Sequence, residues 1–146
     1  MNNLITEKMI ILDKVLKDKN EIITTLAQQM NSAGRLNNLD KYIDAVKSRE
    51  ADFSTSMGFY VAIPHGKSDA VKNSALAFIR LKDMVEWSDQ EKVKYVFMIA
   101  VPRENSGDEH LKILASLSRN LIHEDFREKL MTLQKASELV QIIENI

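Results

Sequence analysis

Two long apolar runs place the strongest constraint on how this chain can fold. Residues 75–81 are apolar except for Arg80, and residues 93–101 are apolar except for Lys94 and Tyr95. A strand with one solvated face alternates apolar and polar side chains, whereas a strand covered on both faces is apolar almost throughout. The two runs therefore predict strands that are buried between layers of helices.

Helical spacing of apolar residues accounts for much of the remaining chain. Asp18 and Asn38 are suited to cap the starts of the first two helices, and Gly34 is suited to follow the end of the first. Ser106 and Glu109 form a capping-box pattern before a third helix. Five helices are predicted in this way, over residues 18–34, 38–50, 106–122, 125–131 and 135–143.

Shorter apolar segments are less decisive. Residues 9–12 suit either a short strand or a docking turn, and residues 84–87 suit an edge strand or a hairpin arm. A chain of 146 residues with 45% hydrophobic and 28% charged residues is typical of one soluble domain with a real core. The predicted fold is a single α/β domain over residues 1–146, with a mixed parallel and antiparallel central sheet and helices on both faces.

Composition argues against several classes of function. The formal charge of −1 gives no reason to expect a nucleic-acid partner, and the absence of cysteine excludes disulfides, thiolate metal sites and cysteine nucleophiles. No signal-peptide pattern opens the chain, and no apolar run approaches the ~20 residues that a membrane span needs. We therefore expect a cytoplasmic protein without direct membrane insertion. Neither a Gly-rich lysine loop nor a Gly-x-Gly-x-x-Gly motif is present, so we expect no nucleotide cofactor.

One histidine stands out for its surroundings. Residues 59–63 have the β-branched and aromatic bias of a short buried strand, Pro64 is suited to end that strand, and Gly66 is suited to a turn. His65 lies between these two residues, at a strand end where open α/β sheets place ligand chemistry. The local sequence alone leaves open an ordinary surface histidine in a turn.

A wider pattern resembles a known family. Glu50, then Met57-Gly58, then residues 61–66 (Val-Ala-Ile-Pro-His-Gly) are similar at every defined position to the phosphohistidine signature of one group of proteins. These are the fructose/mannitol-type enzyme IIA (EIIA) domains of the bacterial sugar phosphotransferase system (PTS). A second segment of that family, an acidic residue and a histidine that open a helix, is similar to residues 108–114.

The resemblance implies roles for several residues. His65 would be the phosphoryl acceptor, because imidazole is a competent nucleophile near neutral pH. His110 would steady the phosphoryl group as a hydrogen-bond donor, and Arg49 would bind its oxygens with the two arms of the guanidinium. Thr55 would add a hydroxyl donor, and Lys67 would contact a partner. The residues by themselves also allow His110 to be a polar residue on a solvated first helical turn, Arg49 to be a solvated helix-end cation, and Ser54, Thr55 and Ser56 simply to serve a turn.

The resemblance also implies a function and partners. The chain would be a phosphotransferase component that accepts phosphate from the phosphohistidine of HPr and passes it to a cysteine of enzyme IIB, while a membrane IIC component handles the sugar. No metal or other cofactor is implied. A free-standing regulator, whose phosphorylation state controls a target, is the alternative within the family. A zinc site made by His65, His110 and His123 is a further alternative, without a supporting spacing motif.

Overall fold

The computed structural model describes residues 3–104 and 106–146, with the side chains of residues 106, 107 and 109 outside that description. A short 3-10 helix, Glu7–Met9, precedes the first strand. The strands are β1 (Ile10–Lys14), β2 (Val61–Ala62), β3 (His65–Ser68), β4 (Ala75–Ser88) and β5 (Glu91–Pro102). The helices are α1 (Lys19–Ser32), α2 (Leu39–Asp52), α3 (Ser106–Leu121), α4 (Glu124–Thr132) and α5 (Ala136–Glu144).

The sheet is mixed, as predicted. β4 and β5 form an antiparallel hairpin, and β1 pairs with β4 in parallel. On the other side of β5, β2 and β3 pair with it in parallel, one after the other along the same edge. This edge is therefore a strand interrupted at Ile63 and Pro64. Residues 10–12 belong to β1, Met9 ends the 3-10 helix, and residues 84–87 are the part of β4 next to the hairpin turn.

The apolar runs are buried on both faces of the sheet. Alternate residues of β4 and β5 pack against α1 and α2 on one face, and the residues between them pack against α3, α4 and α5 on the other. Two hydrophobic clusters result, one on each side of the sheet. This arrangement explains the apolar runs and confirms the predicted α/β class.

Helix termini follow the predicted caps where the structure describes them. The Asp18 side chain accepts a hydrogen bond from the Glu21 N–H, and the Asn38 side chain accepts one from the Lys41 N–H. The capping box expected of Ser106 and Glu109 lies outside the described side chains. None of the helices in the described ranges is long and apolar enough to cross a bilayer.

The prediction of a buried strand over residues 59–63 was wrong at its first two residues and at Ile63, which is buried but lies outside β2. Phe59 and Tyr60 are exposed and adopt positive φ angles of 57° and 62°, which bulky side chains rarely do. Together with Gly58, at φ 86°, they form a left-handed turn, and β2 begins only at Val61. Apolar composition did not reveal this turn, because its conformation depends on hydrogen bonds made by its neighbours.

The role expected of Gly66 also needs correction. Gly66 lies within β3 rather than in a turn. A Cβ atom there would come within 3.0 Å of the side chains of Tyr42 and Val46 on α2. The glycine therefore permits close packing of α2 on the strand that carries His65, since any larger residue would push the helix away.

Candidate functional site

His65 is the first residue of β3 and pairs with Ile99 of β5. It lies at the sheet edge and is half-buried rather than free in a loop. Its Nδ1 atom is 2.8 Å from the backbone oxygen of Ile63. A carbonyl oxygen can only accept, so Nδ1 carries the hydrogen and Nε2 presents a lone pair. The geometry thus leaves Nε2 as the ring nitrogen with a lone pair available for chemistry.

His110 is brought against His65, although the two residues are far apart in the chain. It is the fifth residue of α3, and the centroids of the two imidazole rings are 4.7 Å apart, with planes inclined at 44°. The Nε2 atom of His110 is buried without a hydrogen-bond partner, the one such side-chain atom identified in the described part of the chain. A buried polar atom without a partner is costly, so this nitrogen is suited to a ligand that supplies one.

Burial keeps His65 neutral near physiological pH. Loss of solvation lowers the pKa of His65 below its usual 6.5, and the positive charge of Arg49 lowers it further. The hydrogen bond to Ile63 and the negative charge of Glu50 act in the opposite direction and partly offset that fall. A neutral imidazole is the form that can act as a nucleophile.

His110 is affected similarly. Burial lowers the pKa of His110, and the neighbouring His65, Lys67 and Arg49 add to the effect. Two imidazoles and two permanent cations therefore share one small region. Such a region favours an anion, because a negatively charged group would be attracted by the cations and could accept a hydrogen bond from the Nε2–H of His110.

Arg49 lies in the last turn of α2. One of its terminal nitrogens donates to the backbone oxygen of Phe53, at 3.0 Å, where the helix ends. This contact satisfies a carbonyl at the helix terminus, as expected for a C-terminal cation. Because the same guanidinium lowers the pKa values of both histidines, its charge also acts on the site. Arg49 can therefore be both a helix-end cation and a source of positive charge at the site, the two interpretations that the sequence left open.

The segment before His65 forms a small hairpin. The N–H of Ile63 donates to the oxygen of Thr55, and the N–H of Met57 donates to the oxygen of Val61. Ser56 and Ala62 form an isolated antiparallel bridge between them. We call residues 55–63 the acceptor hairpin, since its second arm leads into His65 and the left-handed turn connects its two arms.

Thr55 anchors the first arm to α2 through Glu50. The Thr55 N–H donates to Oε1 of Glu50 at 3.0 Å, and the Thr55 hydroxyl donates to Oε2 at 2.8 Å. Trp87, near the far end of β4, donates its indole N–H to the same Oε1 atom at 2.6 Å. Glu50 is thus a buried carboxylate whose oxygens are occupied by donors from two separate segments.

Comparison with known proteins identifies the family. The sequence profile described as "Phosphoenolpyruvate-dependent sugar phosphotransferase system, EIIA 2" matches residues 3–146. The chain belongs to this EIIA family.

Relatives of very different lengths share this EIIA sequence. The chain is 35% identical over 141 residues to the "PTS system fructose-specific EIIA component" of Haloferax volcanii, with 95% of this chain and 91% of the relative covered. It is 31% identical over 142 residues to "Multiphosphoryl transfer protein 2" of Escherichia coli strain K12, with 97% of this chain covered. It spans only 17% of the length of that larger protein.

Solved structures share the fold over nearly the whole EIIA chain. The nitrogen regulatory protein IIA-Ntr of Neisseria meningitidis superposes with a TM-score of 0.87 at 30% identity, covering 96% of each chain. The enzyme IIA mannitol component in a complex with phosphorylated IIB from Escherichia coli superposes with a TM-score of 0.82 at 21% identity. That alignment covers 98% of this chain and all of the other, and it shows a common fold.

The third histidine of this EIIA chain lies apart from the pair. His123 is exposed and precedes α4, where its backbone flanks the helix start without a side-chain cap. Within the described residues, no group of three or more His, Asp or Glu side chains is arranged to hold a metal ion. The zinc alternative therefore has no geometric support in that part of the chain.

Sequence reasoning missed the functional connections of two residues. Trp87 enters the sequence prediction only within a possible edge strand or hairpin arm, and Glu50 only as the last residue of a helix and the first residue of the signature. The structure buries both side chains and joins them to each other and to the acceptor hairpin. A carboxylate at a position otherwise lined by apolar helix residues was the available signal, since a buried charge needs partners.

Proposed function

We propose that this EIIA chain is a phosphoryl carrier that takes phosphate from the phosphohistidine of HPr onto His65 and passes it to a cysteine of enzyme IIB. The observation that carries the proposal is the pair of histidines. One has a free nucleophilic nitrogen and the other has a buried nitrogen without a partner, and their rings are 4.7 Å apart. Membership of the EIIA family supports the same chemistry.

Acceptance needs an in-line attack by the lone pair of His65 Nε2 on phosphorus. A new N–P bond forms, the N–P bond of the HPr histidine breaks, and its electron pair returns to the donor ring. The positive charge that develops on the His65 ring is shared with Nδ1–H, which keeps its hydrogen bond to the Ile63 oxygen. The lowered pKa of His65 keeps the lone pair available at neutral pH.

Onward transfer reverses this bonding pattern with a different acceptor. The cysteine thiolate of IIB forms an S–P bond, the N–P bond breaks, and its electron pair returns to His65 Nε2. In our proposal, His110 donates to a phosphoryl oxygen and Arg49 contributes positive charge. Phosphoryl transfer depends mainly on positioning and on such charge stabilisation, so neither residue needs to carry the group.

Thr55 remains a proposed contact of the phosphoryl group, provided that its hydroxyl is released from Glu50. Its hydroxyl hydrogen is donated to Glu50 in this structure. Direct donation to a phosphoryl oxygen would require the hydroxyl to leave the carboxylate. The arrangement gives stronger support to an indirect role, in which Thr55 fixes the hairpin through its backbone.

The proposed docking surface combines exposed apolar groups with cations. Phe53 is 75% exposed at the end of α2, and Leu111 is 61% exposed next to His110. Arg49 and Lys67 supply positive charge close to the histidines. A transient partner that carries a phosphoryl group suits such a modest surface, because rapid transfer requires rapid dissociation.

Reconstitution tests this function. Phosphoenolpyruvate, enzyme I and HPr should add one acid-labile phosphoryl group to the chain, and a cognate IIB protein should remove it within seconds to minutes. IIB proteins of the fructose, mannitol and galactitol types provide the panel of acceptors. Lack of any labelling would contradict the proposed carrier, and labelling without transfer to any of the three would favour a regulator.

The regulatory alternative has its own supporting observation. IIA-Ntr of Neisseria meningitidis, a nitrogen regulatory protein by its name, matches this chain at 30% identity over nearly its full length. A regulator would keep its phosphate in the presence of IIB and bind a target in only one phosphorylation state. Affinity capture with the phosphorylated chain and with His65→Ala would detect such a target as a protein retained by one form alone.

A further inference from the structure

A continuous series of hydrogen bonds links the buried carboxylate of Glu50 to the ring of His65. Nδ1 of His65 donates to the Ile63 oxygen, the Ile63 N–H donates to the Thr55 oxygen, and the Thr55 N–H donates to Glu50. The successive distances are 2.8, 3.1 and 3.0 Å. Both backbone groups of Ile63 and of Thr55 are used, so neither residue can shift without breaking a bond in the series.

The acceptor hairpin explains how Glu50 and His65, 15 residues apart in the chain, are joined by so few hydrogen bonds. Thr55 follows Glu50 by five residues, which lets α2 end before the chain returns to the carboxylate. Thr55 and Ile63 then face each other across the hairpin, whose turn uses Gly58 and two residues with positive φ. Residues with positive φ cost free energy and persist only when the surrounding structure holds them. The attachment at Glu50 supplies such a constraint.

Glu50 is itself held by groups outside the hairpin. The residue is 6% exposed, and Trp87, which donates to it, is 3% exposed. The Lys19 ammonium is 3.8 Å from Oε1 and 5.4 Å from the centre of the Trp87 ring. A carboxylate buried to this degree is tolerated only when it is paired and hydrogen-bonded. Its position is therefore determined by α1, α2 and β4 together.

We propose that Glu50, fixed by Trp87, is the positioning residue for the acceptor histidine, and that it holds the His65 ring with Nδ1 protonated and Nε2 free through Thr55 and Ile63. Neither Glu50 nor Trp87 needs to touch the phosphoryl group in this role. The proposal rests on the proposed function for its kinetic consequence. Its structural consequence, the tautomer of His65, is independent of that function.

The charge of Glu50 adds a second effect. Arg49 and Glu50 on α2 act on His65 in opposite directions, the first lowering its pKa and the second raising it. Among the side chains that the structure describes, His110 on α3 and Lys67, on the same strand as His65, are the other titratable or charged groups of the site. Removal of the Glu50 charge leaves the cations unopposed and should lower the pKa of His65 further.

Two substitutions of Glu50 separate geometry from charge. In Glu50→Gln, the side-chain oxygen can still accept from the Trp87 and Thr55 N–H groups, and the amide can donate to the Thr55 hydroxyl, so mainly the charge is lost. In Glu50→Ala, all three hydrogen bonds are lost. Trp87→Phe removes only the indole N–H that donates to Glu50. Glu91→Gln is the matched control, since Glu91 accepts from Ser56 of the same hairpin but lies outside the series to His65.

The test combines imidazole ¹⁵N NMR of the full chain with single-turnover acceptance from phospho-HPr. We expect Nδ1–H in the wild type, in Glu50→Gln and in Glu91→Gln, and a mixture of tautomers in Glu50→Ala. The pKa of His65 should be lower in Glu50→Gln and unchanged in Glu91→Gln. Misplacement of the ring should slow saturated acceptance about 10- to 100-fold in Glu50→Ala, with the half-saturating concentration of phospho-HPr within about twofold of wild type.

Each outcome decides the proposal. Wild-type tautomer, pKa and rate in both Glu50 variants would overturn it, and so would equal effects in the Glu91→Gln control. If Glu50→Ala does not fold, Trp87→Phe decides the geometric part, with a smaller loss of the Nδ1–H tautomer expected and no loss contradicting it. If wild-type chain accepts no phosphate, the proposed function fails, while the NMR results still support or overturn the positioning role.

Discussion

Two buried charges, Glu50 and Arg80, are both 6% exposed but do different things in the molecule. Glu50 collects donors from Thr55, Trp87 and Lys19 at the beginning of the acceptor hairpin. Arg80, in β4, donates hydrogen bonds to several acceptors on the other side of the sheet. It forms a two-pronged ion pair with Asp13, with both N–O distances at 2.8 Å.

Arg80 also completes the end of a helix. Its terminal nitrogen donates to the backbone oxygens of Leu130, Met131 and Leu133, at 3.0, 3.3 and 2.7 Å. These carbonyls lie at the C-terminal end of α4, where they have no partner within the helix. The guanidinium therefore attaches α4 to β1 and β4, and its effect is on the stability of the fold.

The comparison teaches that burial of a charge does not by itself indicate function. The partners of Arg80 are a helix end and a strand, with no reactive group among them. The partners of Glu50 lead to His65 in two further hydrogen bonds. Glu50 and Arg80 therefore differ in the groups that their hydrogen bonds reach. Substitutions in the Arg80 network should mainly affect stability, and substitutions in the Glu50 network should also affect phosphoryl transfer.

The largest effect on stability is expected for Arg80→Met. It leaves the carbonyls of Leu130 and Leu133 buried without a donor, and should lower the free energy of unfolding by about 2–4 kcal/mol. Urea denaturation followed by circular dichroism measures this, with exposed Arg119→Met as the control, expected within about 0.5 kcal/mol of wild type. The folded variant should accept phosphate at the wild-type rate. A large loss of rate without destabilisation would show that Arg80 acts on phosphoryl transfer rather than on stability.

A smaller and more local effect is expected for Thr55→Val. The variant removes the hydroxyl donor from Oε2 of a buried carboxylate, so the free energy of unfolding should fall by about 1–2 kcal/mol and acceptance of phosphate should slow. Thr55→Ser keeps the donor and should restore most of both losses. If Thr55→Ser behaves like Thr55→Val, the methyl group and not the hydroxyl determines the result.

A third prediction concerns pH. Because burial lowers the pKa of both His65 and His110, each should titrate in NMR below 6.5, the value of a solvated histidine. The unfolded chain then binds more protons as pH falls below 6.5, so the stabilisation from the neutral rings is present above that pH and is lost as pH falls through the folded-state values. Midpoints at or above 6.5 would contradict burial as the main influence on the pKa values of the two rings.

The smallest effect is expected for Asp13→Asn. The side chain of Asp13 is 56% exposed, so water replaces much of what the ion pair provides, and the loss of stability should be well below that of Arg80→Met. Hydrogen bonding to Arg80 lowers the pKa of Asp13 below 3.8, so its stabilisation is present above pH 3.8 and is lost as pH falls further. Acid denaturation of the variant should lack this part of the pH dependence. Equal losses in the two variants would mean that the ion pair, rather than the helix attachment, is the stabilising interaction.

Sequence predicted the layers of this fold well, because apolar periodicity reports burial directly. The runs in β4 and β5 and the caps at Asp18 and Asn38 are examples. Prediction failed at Phe59 and Tyr60, whose apolar side chains suggested a buried strand. Their turn is imposed by hydrogen bonds between the arms of the acceptor hairpin, and such contacts leave no periodic signal.

The candidate site was predictable only in part, because its residues are distant in the chain and their contacts leave no local pattern. His65 and His110 could be paired only through the family resemblance, since they lie 45 residues apart in the chain. The connection from Trp87 to Glu50 could not be predicted, because it depends on how far the β4–β5 hairpin extends over α2.

Site-resolved phosphorylation tests the central claim most directly. The chain, His65→Ala and His110→Ala would each be incubated with phosphoenolpyruvate, enzyme I and HPr, and the modified residue located by mass spectrometry under basic conditions. We predict one phosphoryl group on His65 in the wild type and in His110→Ala, and none in His65→Ala. Onward transfer to IIB should be slower in His110→Ala, by ~10²–10³-fold if one donor to the phosphoryl group is lost. Phosphate on His110, or undiminished labelling of His65→Ala, would contradict the account.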